Sequence, residues 1–209
     1  MGKLPIKRFR PIRSKPEAQM TTTSAKKYLC EDFHNRCGYC DALDKFLGGQ
    51  NVFHVDHFAP KKPFAELERA YSNFVYCCPV CNGAKSNAWV GSSPRENIVG
   101  DKGFIDPCSM EYGDHLARNK NGEIFFLTSI GEYIVNTLHL YLKRHKILFK
   151  LDSLEIRADL LERKINENKN SGKNTEELEQ FLNAVKIEFF DYYKILGPVL
   201  ITEKNKLKF

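Results

Sequence analysis

The sequence predicts an α+β protein, a small cysteine-pinned module followed by a mainly helical region. Three observations predict it. Two C-x-x-C pairs lie at Cys37/Cys40 and Cys78/Cys81. β-prone residues run through 51–58, and a hairpin signal spans 115–127. From Gly131 onward, apolar residues recur at three- and four-residue steps. The 209 residues suit one compact domain, or a small module with an accessory region. An apolar share of 42% and a charged share of 28% exclude a wholly disordered or collagen-like chain.

Residues 1–29 carry eight basic residues against the single acid Glu17, a balance of +7 that leaves −1 for residues 30–209. With three prolines and little apolar periodicity, the first 20 residues predict an extended basic arm. Such an arm suits a polyanion, with Arg8, Arg10 and Arg13 as candidate nucleic-acid contacts. The competing reading is a solvated tail. The amino end lacks the apolar stretch of a signal peptide, and no run is long enough to span a bilayer. A cytoplasmic, reducing location is expected, with no membrane partner.

Element by element, a short helix is predicted over residues 24–34. Gly48-Gly49 turns the chain into a strand within 51–58, which Pro60 and Pro63 close. A helical turn is expected over 65–71, and a helix from Asn82. Residues 91–103 read as loop. Residues 115–118 and 123–127 flank Asn119-Lys120-Asn121-Gly122, a turn suited to positive φ. Ile134, Leu138, Tyr141, Leu142, His145 and Phe149 predict one long helix or two through Ile165. Residues 166–174 form a polar break. A last helix starts near Asn174, carries Leu178, Phe181, Leu182, Val185 and Phe189, and ends at Gly197-Pro198. The domains expected are the arm (1–29), the cysteine module (30–100) and a hairpin-plus-helix region (101–209).

Seven cysteines without a secretion signal argue against a disulfide framework. A two-residue gap lets a tight turn aim both sulfurs at one point. Two such turns supply the four thiolates of a structural zinc site from Cys37, Cys40, Cys78 and Cys81. Redox use of one pair is the rival. Cys77 is a competing ligand, and Cys30 and Cys108 read as small buried hydrophobes.

Between and after the knuckles lie Asp56-His57, Pro60, Asn73, and Cys81-Asn82-Gly-Ala-Lys85. Singly these are a surface acid, a half-buried histidine, a turn former and a solvated cation. In this order, framed by the cysteine pairs, residues 30–90 resemble the HNH nuclease family. Two departures stand out. Asn82 occupies a position where many members have His, and Lys61-Lys62-Pro63-Phe64 replaces the glycine pair that often follows the motif proline.

The resemblance implies a zinc-stabilised ββα-metal module and hydrolysis of phosphodiesters, most often in DNA, leaving 5′-phosphate and 3′-hydroxyl ends. It implies His57 as general base, since an imidazole exchanges protons near neutral pH. Asp56 and Asn82 would hold one Mg²⁺ or Mn²⁺ through oxygen. Asn73 would brace the loop that orients the base, and Lys85 would contact a phosphate. His54 shares a strand face with Asp56 and reads as a supporting polar residue. Adjacent strand residues point to opposite faces, so either the strand is irregular at 56–57 or the phosphate lies between them.

Residues 101–209 read as a buttress for the module or as a docking surface for a partner protein. Small HNH proteins with helical extensions resemble nucleases of bacterial defence operons that work beside an ATPase. Two other functions stay open, a non-catalytic zinc-knuckle binding module and an RNase with the same site.

Overall fold

The computed structural model describes residues 2–207 and the side chains of 2–205. The chain divides into two compact units between His145 and Lys146. The segments expected as an arm and as a separate hairpin therefore fold together with the cysteine module.

In the first unit, β1 (Leu4–Pro5) is followed by α1 (Thr22–Asp32). The Thr21 hydroxyl caps α1 by accepting from the Ser24 N–H, and Ala25, Leu29 and Cys30 are its buried face. β2 (His54–His57) pairs antiparallel with β3 (Phe74–Cys77), setting Asp56 opposite Val75 and His57 opposite Phe74. α1 packs on this hairpin. α2 (Pro79–Lys85) begins three residues earlier than expected, because Cys78 is its cap and Pro79 suits a first helical position.

The loop at 91–103 holds a two-residue ladder, β4 (Ile98–Val99) with β5 (Lys102–Gly103). α3 (Tyr112–His115) leads into the expected hairpin, β6 (Leu116–Arg118) with β7 (Ile124–Phe126). α4 (Ser129–Thr137) follows, its first turn capped by Thr128. Gly131 is required there, because a Cβ would meet the His115 carbonyl oxygen at 2.0 Å. The helical run then breaks, so two helices form rather than one, and α5 (Lys143–Asn170) covers part of the stretch expected as a polar break.

The basic arm is laced to the body rather than extended. Leu4 and Pro5 pair with Arg118 and Ala117, and Ile6 is buried. The Arg8 backbone N–H donates to Asp41, and Arg10 donates to the Cys108 carbonyl. Arg13 bonds Asp106 through both terminal nitrogens and the Phe74 carbonyl through Nε. Arg118, inside the hairpin, is fully buried and donates to the carbonyls of Cys40 (2.6 Å) and Gly122 (2.7 Å).

The second unit holds the rest of α5 and α6 (Glu176–Leu207). The ion pairs Lys169–Glu179 and Lys186–Glu162, each 2.8 Å, give the two helices an antiparallel register. Leu178, Leu182, Val185, Phe189, Tyr192 and Leu196 form the least exposed side of α6. The helix does not stop at Gly197-Pro198. Leu196 and Glu203 are buried on either side of an exposed proline, so the packed face continues. The carbonyl of Lys194, which loses its N–H partner to Pro198, belongs to an exposed residue. No described helix is long and apolar enough to cross a membrane.

Candidate active site

Each knuckle is a turn fixed by backbone bonds. Asp41 N–H donates to the Cys37 carbonyl at 2.9 Å, with Asp41 at positive φ, and Gly38 N–H donates to the Tyr76 carbonyl at 2.8 Å. That second bond docks the knuckle on β3. On the other side, the Cys78 sulfur accepts from the Cys81 N–H at the start of α2. The four sulfurs of Cys37, Cys40, Cys78 and Cys81 lie within 4.8 Å of one another, all buried. A tetrahedral site with Zn–S near ~2.3 Å has edges of about 3.8 Å. The Cys40 and Cys78 sulfurs are 3.9 Å apart. The donor set therefore fits zinc. Hydrogen bonds from Cys37 and its neighbours hold the Cys78 thiol well below the ordinary value and push Cys40 and Cys81 well above it. Four buried thiolates repel one another, and a cation between them offsets that repulsion. Cys77 points elsewhere, its sulfur 3.8 Å from the His54 carbonyl and from Asn82 Oδ1.

β2 keeps its ladder through His57. The strand is therefore regular at 56–57, and these neighbours leave it from opposite faces. Asp56 meets Tyr39 and Lys85. Its Oδ2 accepts from the Tyr39 hydroxyl at 2.6 Å and lies 3.1 Å from Lys85 Nζ. Burial pushes the Asp56 carboxyl above the usual carboxylate range, against the pull of Lys85 and Tyr39.

His57 meets the loop between the strands. Its Nε2 is 2.9 Å from the Glu68 carbonyl oxygen, and its ring sits edge-on to Phe74. A carbonyl only accepts, so Nε2 carries the hydrogen, and in the neutral ring Nδ1 holds the lone pair. Asn73 closes the same loop. Its Oδ1 accepts from the Ala59 N–H at 2.8 Å, and its Nδ2 donates to the Ala59 carbonyl at 2.9 Å. Phe58 N–H donates to the Asn73 carbonyl.

Asn82 lies on α2 with Nδ2 3.3 Å from His54 Nδ1. Its immediate neighbour is thus His54, two residues before Asp56 on β2. Asp56 and Asn82 offer a carboxylate and a carboxamide oxygen, the hard donors that Mg²⁺ or Mn²⁺ takes. Both Tyr39 and Lys85 meet Asp56 at Oδ2.

The positions of two groups of cations differ from expectation. Lys85 is fully buried, and its Nζ also donates to the His57 carbonyl at 2.9 Å, so it braces the strand instead of facing a phosphate. The Arg13 guanidinium is committed to Asp106 and Phe74, whereas Arg8 and Arg10 are exposed. Sequence reasoning missed Tyr39 and the Glu68 carbonyl. No local signal marks a tyrosine inside a knuckle as a partner of a residue 17 positions away.

A family model described as HNH endonuclease matches residues 37–88. The match identifies these residues as an HNH domain, which supports a nuclease-type function in general and implies nucleic-acid binding. No curated protein and no solved structure matches the chain.

Proposed function

We propose that the protein is an endonuclease that hydrolyses phosphodiester bonds, with DNA as its substrate. The observation that carries the reading is the bond from His57 Nε2 to the Glu68 carbonyl. It leaves Nδ1 as the ring atom that takes a proton from water. Asp56 and Asn82 are the residues that would hold Mg²⁺ or Mn²⁺. When bound, the ion supplies charge stabilisation at the phosphate and at the departing 3′ oxygen. Asn73 and Glu68 hold the base in orientation, and Phe74 packs against its ring. The phosphate would straddle the strand, since Asp56 and His57 leave it on opposite faces.

Cleavage of plasmid, single-stranded DNA and RNA, each with and without Mg²⁺ or Mn²⁺, tests the proposal. Metal-dependent cutting of DNA that His57→Ala abolishes is the expected result. Cutting of RNA alone makes the protein an RNase. Binding without cutting of any substrate makes it a zinc-knuckle binding module.

The partner and setting are part of the same proposal. Exposed Phe181, Ile187, Phe190, Tyr193 and Ile201 on α6 support docking of a partner protein. The defence-operon resemblance points to an ATPase. Seven unpaired cysteines support a reducing, cytoplasmic setting. Co-purification with the product of a neighbouring ATPase gene, lost on Phe190→Asp, is the check.

A further inference from the structure

Along the sequence the zinc knuckles and the motif residues are merely neighbours. In the fold they touch, and both knuckles reach Oδ2 of Asp56. Tyr39 fills the second spacer position of the first knuckle. That spacer has no room to shift, since a Cβ on Gly38 would come within 2.7 Å of both Phe33 and Val75. Tyr39 is buried, and its hydroxyl donates to Asp56 Oδ2 at 2.6 Å. From the second knuckle, Lys85 follows Cys81 by one helical turn of α2, which sets the two residues on the same face. Its Nζ reaches the same Oδ2 at 3.1 Å. One carboxylate oxygen is thus gripped by two donors, one from each knuckle.

Resting on the endonuclease reading, we propose that Tyr39 and Lys85 are positioning residues that carry the geometry of the four-cysteine site to Asp56 and fix the orientation in which its carboxylate meets the divalent ion. An ungripped carboxylate turns about its last bond, and that freedom must be lost when an ion binds. Two fixed donors remove it beforehand. Partners that orient a metal ligand in this way typically matter ~10–100-fold in metal affinity. The arrangement also makes the two metal sites reciprocal: order in the knuckles favours the ion at Asp56, and the ion at Asp56 favours order in the knuckles.

The test is Mn²⁺ affinity, read by electron paramagnetic resonance on full-length protein carrying His57→Ala, which keeps the ligands and stops turnover. Tyr39→Phe removes one oxygen and keeps the ring. It should weaken Mn²⁺ binding about tenfold. Zinc content, and the absorption of a cobalt-substituted cysteine site, should not change. In an Asp56→Ala background the same substitution should add nothing, which separates action through Asp56 from a general loss of packing. Unchanged Mn²⁺ affinity in Tyr39→Phe overturns the inference alone, as does an equal loss in both backgrounds. A parent protein that binds no Mn²⁺ overturns the two-ligand reading and the inference together.

Discussion

Asn73 and Ala59 exchange two side-chain-to-backbone hydrogen bonds, 2.8 and 2.9 Å long, that close the loop carrying the carbonyl partner of His57. Both bonds are buried. Asn73→Ala leaves an N–H and a carbonyl without partners, at roughly 1–3 kcal/mol for each such group. Thermal unfolding should show this loss. Because Glu68 lies on the loop, kcat should fall more than KM rises. An Asn73→Ala protein with parental stability would show that the loop closes without it.

His57→Ala should reduce cleavage by ~10²–10⁴-fold, the usual cost of losing a general base. Zinc content and DNA affinity should stay near parental values, since the His57 ring bonds the Glu68 carbonyl and packs on Phe74, away from the four cysteines. Single-turnover rates and anisotropy titrations separate the two effects. Normal turnover in this variant would remove His57 from the mechanism.

Metal analysis of the purified protein should find about one tightly held zinc per chain, as four convergent thiolates hold. Cys37→Ser or Cys81→Ser should lose that zinc and the cooperative melt with it, since a structural metal contributes directly to folding. Full zinc occupancy after replacement of all four cysteines would sink the assignment.

The amino-terminal cations should sort into two groups. Arg13→Ala breaks a fork on Asp106 that is largely buried on the arginine side, 9% exposed against 30% for the acid. It should cost about 2–4 kcal/mol in urea unfolding, less than a fully buried pair. The salt slope of DNA binding should not move. Lys3, Lys15 and Lys27 are exposed, and replacing them with Gln should flatten that slope by ~0.9 for each phosphate no longer neutralised. Stability should not change. The reverse sorting would return Arg13 to the DNA interface and make the lysines bystanders.

His145 predicts a pH dependence. Burial, then the charges of Arg144 and Arg118, lower its value to about 3. The unfolded chain takes up this proton near pH ~6.5, where the folded chain does not. Unfolding therefore binds a proton between pH 6.5 and about 3, so the stability is full above 6.5 and falls as pH drops through the window. The slope is at most ~1.4 kcal/mol per pH unit. Urea unfolding at pH 7, 6 and 5 should show the gap between the parent and His145→Leu shifting in favour of the variant as the solution is acidified. A gap independent of pH would mean that the fold leaves the proton affinity of His145 as it is in the unfolded chain.

The β2 strand, the β6–β7 hairpin and the order of the knuckles were legible because each rests on local chemistry. Turn residues, prolines and two-residue spacings act over a few positions. The residues misread act over long distances. Lys85 reads as a phosphate contact until Asp56, 29 positions earlier, is seen beside it. Arg13 reads as a phosphate contact until Asp106 is found to meet it. Pro198 reads as a helix stop because the sequence does not show that Leu196 and Glu203 are both buried on the same helix.

The pairing of Leu4 and Pro5 with Arg118 and Ala117 joins segments that lie far apart in the sequence. A contact of that separation has to close a long loop before it returns any stability, so it belongs among the slow steps of folding. Arg118 ties the same ladder to the first cysteine turn through its bond to the Cys40 carbonyl. Loosening the β1 edge should therefore slacken the backbone that carries Cys40.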